Sequence, residues 1–69
     1  MIVKMIFSPE YERMVECDTI HKNSGKDELE LALYKDDKLI ENPQFKDRVQ
    51  IFIMEKGKTI DRIDFKINE

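Results

Sequence analysis

The chain has 69 residues and a formal net charge of −3, which results from 12 Lys or Arg and 15 Asp or Glu residues. A chain of this length forms one domain at most, so we expect residues 1–69 to fold as a single domain. The acidic balance argues against a nonspecific nucleic-acid-binding protein, because such proteins carry a basic excess. Hydrophobic residues make up 41% of the chain, which is enough for a core and argues against intrinsic disorder.

Small domains are commonly reinforced by disulfide bonds, a structural metal or self-association. Cys17 is the single cysteine, so no internal disulfide can form, and such cysteine usage is typical of a reducing compartment. A structural zinc site needs about four ligands, whereas Cys17, Asp18 and His21 would supply three. We therefore expect no metal and no cofactor, and self-association is the device that remains.

The apolar segments are too short for a membrane helix, which requires about 20 consecutive apolar residues. The longest apolar run covers residues 51–54, and Lys4 interrupts the apolar start of the chain. No small-residue cleavage site of a secretory signal follows that start. The expected location is the cytoplasm, and no membrane partner is expected.

The first predicted strand lies at the start of the chain, where Val3, Met5 and Phe7 alternate with Ile2 and Ile6. Both faces of this strand are apolar, so both require a cover. The protein's own core is the expected cover, because two layers packed around one core are the usual solution. The alternative is the surface of another protein chain.

The next segment, residues 8–22, is compatible with a strand or with a helix. A Ser-Pro-Glu motif at its start resembles a helix N-terminus. The alternation of Val15, Cys17 and Thr19 with acidic residues favours a strand in which these three side chains point inward. We expect strands here; the alternative is an α+β fold with one helix at about residues 9–22 packed on an antiparallel sheet.

The middle of the chain has the clearest alternation, because every second residue from Leu29 to Leu33 is a leucine. This pattern predicts a half-buried strand. Asp36 and Asp37 predict a tight turn, since both tolerate turn conformations. A short strand at residues 39–41 is expected to follow the turn.

The strongest hairpin signal lies towards the end of the chain, where two segments rich in β-branched and aromatic residues flank Gly57. A three-residue loop at residues 55–57 would place Phe52 opposite Ile60 and pair apolar with apolar residues. A two-residue loop would place Phe52 opposite Asp61, which is a poorer pairing. The segments together predict a mainly β fold, as a small antiparallel barrel or a curled sheet of five to six strands.

One face of the hairpin is apolar near its turn. In an up-and-down arrangement this turn and the Asp36–Asp37 turn lie at the same end of the sheet, which would gather four lysines beside the apolar spot. An apolar spot ringed by charge is a reasonable protein-binding surface. The alternative is that these lysines serve solubility. The predicted partner-binding residues are Phe52, Met54, Ile60, Lys35, Lys38, Lys56 and Lys58.

No constellation of catalytic residues is evident. A Cys–His nucleophile pair would need an orienting third group and a pocket, for which a sheet of this size has little room. The acidic pairs, such as Asp36 with Asp37, fall in turns and at outward strand positions, and there is no glycine-rich phosphate loop. We therefore expect that the protein is not an enzyme.

The expected function is that of a small, non-catalytic cytoplasmic interaction or regulatory protein. Such an inhibitor or adaptor would bind another protein through a sheet face or a hairpin end. One alternative is a small β-barrel that binds single-stranded nucleic acid, with Phe7, Phe52 and Tyr34 stacking on bases. The other alternative is a self-assembling subunit, for which a homodimer is the simplest form.

Overall fold

The structure is a computed structural model and describes residues 1–66. Within this range the alternation of apolar and polar residues corresponds to β-strands. The prediction of a mainly β antiparallel curled sheet is confirmed, but the number of strands is eight and the sheets do not close into a barrel. The strands are β1 (Ile2–Ser8), β2 (Tyr11–Glu16), β3 (Thr19–Ser24), β4 (Leu29–Lys35), β5 (Lys38–Glu41), β6 (Gln44–Phe45), β7 (Val49–Glu55) and β8 (Lys58–Phe65).

The alternative α+β fold is wrong, because residues 9–22 form a turn followed by β2 and most of β3. Pro9 and Glu10 occupy the turn between β1 and β2 and do not begin a helix. In residues 1–66 no helix is present that is long and apolar enough to cross a membrane.

The strands form two antiparallel sheets whose inner faces pack on each other. Sheet A has the order β2-β1-β7-β8, and sheet B has the order β3-β4-β5, with β6 also paired to β4. Every second residue of β1, β4 and β7 points into the space between the sheets, so these three central strands supply most of the core. The core consists of Val3, Met5, Cys17, Leu29, Leu31, Leu33, Phe45, Val49 and Ile51.

The chain passes from sheet A to sheet B at a corner formed by Cys17 and Asp18. The Cys17 amide donates a hydrogen bond to the Met1 carbonyl (2.9 Å), and the Asp18 amide donates one to the Tyr34 carbonyl (2.8 Å). The predicted inward orientation is confirmed for Cys17 but is wrong for Thr19, which is exposed and lies opposite Tyr34. The alternation restarts after the corner, because the chain enters a different sheet there.

An ion pair joins the two sheets on the side where β2 and β5 approach each other. The Arg13 guanidinium of β2 donates a hydrogen bond to the Glu41 carboxylate of β5 at 2.7 Å. This hydrogen bond raises the pKa of Arg13, so the guanidinium remains charged at all ordinary pH values. Both side chains are partly exposed, so the pair connects the sheets without contributing much stability.

The β4–β5 and β7–β8 hairpins have the same turn. Each connection has two residues with positive φ, which are Asp36 (53°) and Asp37 (63°) in the first, and Lys56 (53°) and Gly57 (77°) in the second. Two consecutive residues with positive φ define a type I′ turn, whose twist matches that of the flanking strands. The predicted tight turn at Asp36 and Asp37 is therefore confirmed.

Each of these hairpins also has a β-bulge at the third residue after its turn. The extra residue is Ile40 in β5 and Ile60 in β8, and neither has a partner on the opposite strand. The predicted three-residue loop at residues 55–57 is wrong, and so is the pairing of Phe52 with Ile60. Phe52 lies opposite Arg62, because the bulge shifts the pairing by one residue beyond the turn.

A two-residue loop without a bulge would place Phe52 opposite Asp61, and the bulge avoids this poor pairing. Beyond Ile60, Ile51 lies opposite Ile63, and Val49 lies opposite Phe65. Ile63 and Phe65 then pack against the core from the edge of sheet A. The acidic residues of β8 remain exposed to solvent.

Candidate functional site

Strand alternation and register place five apolar side chains on the outer face of sheet A, which points away from the core, and a sixth, Ile60, lies at the edge of this face in the bulge of β8, where the alternation is interrupted. We call the set the apolar face. Its members are Ile2 and Ile6 of β1, Met14 of β2, Phe52 and Met54 of β7, and Ile60 of β8.

The apolar face is open to solvent. Ile2, Met14 and Ile60 are 41%, 63% and 56% exposed, and the other three members are half-buried by their neighbours in the sheet. All eight strands of residues 1–66 belong to the two sheets, so no third layer covers this face. The expectation that the protein's own core covers both faces of β1 is therefore wrong for the described residues.

The members of the apolar face lie side by side on neighbouring strands. Ile2 is directly opposite Met54, and the partner of Met54 on β8 is Thr59, the residue before the bulge at Ile60. In the next row along the strands, Lys4 lies between Met14 on one side and Phe52 on the other. The aliphatic part of a lysine covers apolar neighbours while its ammonium group reaches solvent, so Lys4 connects the apolar side chains of β2, β1 and β7.

Charged groups on this face are paired with one another. The Lys4 ammonium lies 3.6 Å from the Glu12 carboxylate, and the Arg62 guanidinium lies 3.0 Å from the Asp64 carboxylate. Arg62 also lies over the Phe52 ring, with its guanidinium carbon 5.5 Å from the ring centroid. Because each of these cations has its own carboxylate, charged groups are interspersed with the apolar side chains but give the face little net charge.

The outer face of sheet B differs in chemistry. Tyr34 meets His21 edge to face, with ring centroids 5.4 Å apart, and both have polar neighbours. Its apolar exposed members, Leu39 and Ile40, belong to the short strand β5. The outward pairs across β3 and β4 are Thr19 with Tyr34, His21 with Ala32, and Asn23 with Glu30. Apolar side chains on three adjacent strands, β2, β1 and β7, are therefore a property of sheet A.

The three apolar residues predicted to bind a partner, Phe52, Met54 and Ile60, all lie on the apolar face. The sequence also indicated that Ile2 and Ile6 form a second apolar face of β1, but it did not indicate that β1 lies beside β7. Met14 was missed, because its place on this face depends on the register between β1 and β2. The sequence gives little indication of this placement, because Met14 is an isolated apolar residue among polar residues and forms no periodic pattern.

The predicted lysines lie at the end of the molecule where the two type I′ turns are found. Lys35 of the first turn donates a hydrogen bond to Glu16 (3.1 Å), and Glu16 lines a surface hollow together with Lys56 of the second turn. The hydrogen bond and charge of Glu16 raise the pKa of Lys35. Lys38 and Lys58 begin the strands that leave these turns.

This end of the molecule is mixed in charge, in contrast to the lysine-rich cluster that was predicted. Lys58 lies opposite Glu55, and the Asp18 carboxylate accepts a hydrogen bond from the Asp36 amide at 2.9 Å. Asp37 adds a further carboxylate at the same turn. The lysines are therefore balanced by acidic neighbours, and this end does not form a basic surface.

The aromatic residues proposed to stack on nucleic-acid bases lie on three different surfaces. Phe7 packs beside the core and stacks on Tyr11, with ring centroids 5.0 Å apart. Phe52 lies on the outer face of sheet A, and Tyr34 lies on the outer face of sheet B. These three rings therefore do not form one stacking platform.

Cys17 and His21 do not share a site. Cys17 is fully buried at the corner between the sheets, whereas His21 is exposed on the outer face of sheet B. Within residues 1–66, no group of three or more His, Cys, Asp or Glu side chains is arranged to hold a metal ion. Burial raises the pKa of the Cys17 thiol, and the neighbouring Asp18 carboxylate adds to this effect.

We expect Cys17 to react with iodoacetamide far more slowly in the folded protein than in urea, because the thiol is buried and mostly protonated at neutral pH. The folded pKa lies above the unfolded value of about 8.5, so the thiol's contribution to stability is complete below about pH 8.5 and is lost as the pH rises further. Labelling followed by mass spectrometry, with urea midpoints measured from neutral to alkaline pH, checks both effects. Equal labelling rates in the folded and unfolded states would contradict the burial.

Comparisons of the chain with protein-family models, with curated proteins and with solved structures found no match. What the chain binds must therefore be inferred from its own surface. Within residues 1–66 the apolar face of sheet A, which includes the exposed Ile2 and Met14, is the surface that we consider for binding.

Proposed function

We propose that the protein is a small, non-catalytic interaction protein that binds another protein through the apolar face of sheet A. The observation that supports this most directly is the exposure of Ile2 and Met14 on the outer face of sheet A, with the exposed Ile60 at its edge. The largest apolar patch on a monomeric protein is often a functional surface.

The dimensions of the face limit what it can bind. Four strands spaced about 4.8 Å apart span about 19 Å, and seven residues rising about 3.3 Å each span about 23 Å. The face therefore covers about 440 Å², close to half of the roughly 800 Å² that each partner contributes to a standard interface. A face of this size is suited to a short segment of a partner or to a transient complex.

An inhibitor or adaptor role fits this surface better than catalysis. The potential nucleophile, Cys17, is buried with a raised thiol pKa, and His21 lies on a different surface. The single buried thiol is suited to a reducing compartment, and we propose the cytoplasm. The mixed charge on the apolar face implies that the partner is recognised mainly by apolar contact and shape.

Replacing Phe52 by Glu tests the proposal. A carboxylate at this position would lie beside Lys4 and Arg62, so we expect the fold to survive. Partner binding should weaken at least about 30-fold, which corresponds to the loss of about 2 kcal/mol at an interface hot spot. The matched control is Leu39→Glu, which places the same charge at an exposed residue of sheet B.

The experiment has two stages. Affinity capture with the parent and both variants, followed by mass spectrometry, identifies proteins that the parent and Leu39→Glu retain and that Phe52→Glu loses. Calorimetry with the purified partner then measures the affinities, and circular dichroism verifies that each variant is folded. Equal affinity of Phe52→Glu and the parent would overturn the proposal, as would unfolding of Phe52→Glu, because Phe52 would then be a core residue.

A further inference from the structure

Strand β8 forms one edge of sheet A and is the longest strand of the described chain, with eight residues. It pairs with β7 on one side, and within residues 1–66 no strand pairs with its other side. The Arg62 amide donates a hydrogen bond to the adjacent Asp61 carboxylate at 2.8 Å, so it points to the free edge. An edge with free backbone groups is a template for pairing with another strand.

The order of charged residues along β8 favours pairing with a second copy of the same strand. If two copies of β8 run antiparallel about a twofold axis at Ile63, Arg62 of each copy lies opposite Asp64 of the other. The pairing then contains two ion pairs on the outer face and an isoleucine pair on the inner face. Opposite charges placed directly across from each other stabilise a strand pair.

Other registers of the same two strands are unfavourable. An axis at Asp61 places two aspartates opposite each other, and an axis at Arg62 does the same with two arginines. An axis at Ile60 places Lys58 opposite Arg62. Like charges directly opposite each other destabilise a strand pair, so the register centred on Ile63 is favoured over these three.

The direction of the backbone groups agrees with this register. Because the Arg62 amide points to the free edge, the Asp64 amide points there too, and the Ile63 amide points to β7. Arg62 of one copy and Asp64 of the other would thus form hydrogen-bonded pairs. The two Ile63 residues would form a non-hydrogen-bonded pair, in which the Cα atoms approach to about 4.5 Å.

We infer that β8 pairs with β8 of a second copy, so that two sheets A form one continuous sheet of eight strands in a symmetric dimer. The bulge at Ile60 twists the turn end of β8 away and confines the pairing to residues 61–65. The Asp61 carboxylate must release the Arg62 amide when the strands pair, so the dimer is reversible and depends on concentration. The same bulge and charges prevent pairing with unrelated strands.

Dimerisation would also enlarge the proposed binding surface. The outer faces of two sheets A, about 440 Å² each with their charged side chains included, would lie side by side and provide about 900 Å², which is the share that one partner contributes to a standard interface. This consequence rests on the proposed function, whereas the pairing of β8 does not.

Charge reversal tests the pairing. We expect the parent to form dimers at high concentration, and Arg62→Asp and Asp64→Arg each to remain monomeric where the parent is dimeric. Arg62→Asp is acidic at positions 62 and 64, and Asp64→Arg is basic at both positions. An equimolar mixture should therefore form a heterodimer, because each acidic side chain then lies opposite a basic one. Sedimentation velocity over a range of concentrations measures all four samples.

Three results of this experiment would overturn the inference. They are a parent that is monomeric up to its solubility limit, single variants that dimerise as well as the parent, and a mixture that remains monomeric. Circular dichroism verifies that each variant is folded. Leu39→Glu serves as the matched control, since it adds a carboxylate at an exposed position of β5 in sheet B and should leave edge pairing of β8 unchanged.

A cysteine cross-link tests the register independently of charge. In a Cys17→Ala background, Ile63→Cys should form a disulfide-linked dimer under mild oxidation, because the two residues meet on the twofold axis within the range that disulfides span. Asp61→Cys should not, because it would lie opposite Phe65 of the other copy. If both variants cross-link equally, or neither does, the register is wrong. Neither outcome affects the capture experiment with Phe52→Glu, so the two proposals fail separately.

Discussion

Leu31→Ala is expected to lower the free energy of unfolding by about 2–5 kcal/mol, through lost apolar contact and a cavity between the sheets. Leu31 is central in sheet B and its side chain is 0% exposed. Its amide donates a hydrogen bond to the Pro43 carbonyl (3.0 Å), and its carbonyl accepts one from the Asn42 side chain (2.8 Å). These hydrogen bonds hold the backbone of β4 in place, so the cavity cannot collapse. The loss in the free energy of unfolding should therefore approach about 5 kcal/mol.

An effect of this size is large for so small a domain. Stability amounts to about 0.05–0.15 kcal/mol per residue, and each kcal/mol shifts the Tm of a domain of this size by about 4–8 °C. Urea and thermal unfolding followed by circular dichroism measure the change. The control is Leu39→Ala, the same substitution at a 53% exposed position of β5, which should change stability by less than about 0.5 kcal/mol. Equal losses in both variants would mean that the core is not where the structure places it.

Deleting Ile60 is expected to leave the protein folded, whereas deleting Phe52 should abolish the fold. Ile60 is the unpaired residue of the bulge, so its removal keeps Met54 opposite Thr59 and Ile53 opposite Asp61. Each remaining residue of β8 keeps its face. The hairpin loses the bulge and the extra twist that a bulge produces.

Phe52 lies in a central strand that pairs with β1 on one side and with β8 on the other. Its deletion moves each residue on one side of the gap to the opposite face of the sheet. Val49 and Ile51 would then leave the core or lose their register with β1. A cooperative thermal transition should be present for the Ile60 deletion and missing for the Phe52 deletion. A cooperative transition in both variants, or in neither, would contradict the assigned bulge.

The strands themselves could be predicted from the sequence because alternation is a local property. Leucines at every second position from Leu29 to Leu33 indicate which face is buried, and the structure buries that face. The register of the last hairpin could not be predicted in the same way. Lys56 takes a positive φ that is uncommon for residues other than glycine, which concealed the two-residue turn, and the bulge at Ile60 has no sequence signal of its own.

The candidate site was predictable to the extent that it lies on one strand. Phe52 and Met54 share a face of β7 through alternation alone. The contribution of Met14 depends on two strand pairings, β2 with β1 and β1 with β7, and pairings between distant segments leave no local pattern. The acidic residues around the predicted lysines were visible in the sequence, but the corner at Asp18 that brings a carboxylate to the first turn was not.

The central position of β1 in sheet A has a consequence for the order of folding. β1 pairs with β7 through Ile6 with Gln50 and Ile2 with Met54, at separations of 44 and 52 positions. Contacts between such distant segments slow folding, because a large loop must close before they form. During synthesis β1 leaves the ribosome first, but its main neighbour emerges only after β2 to β6. The hairpin of β1 and β2 must therefore wait with both apolar faces exposed until β7 arrives, and in that interval it is the segment most open to chaperones and to aggregation.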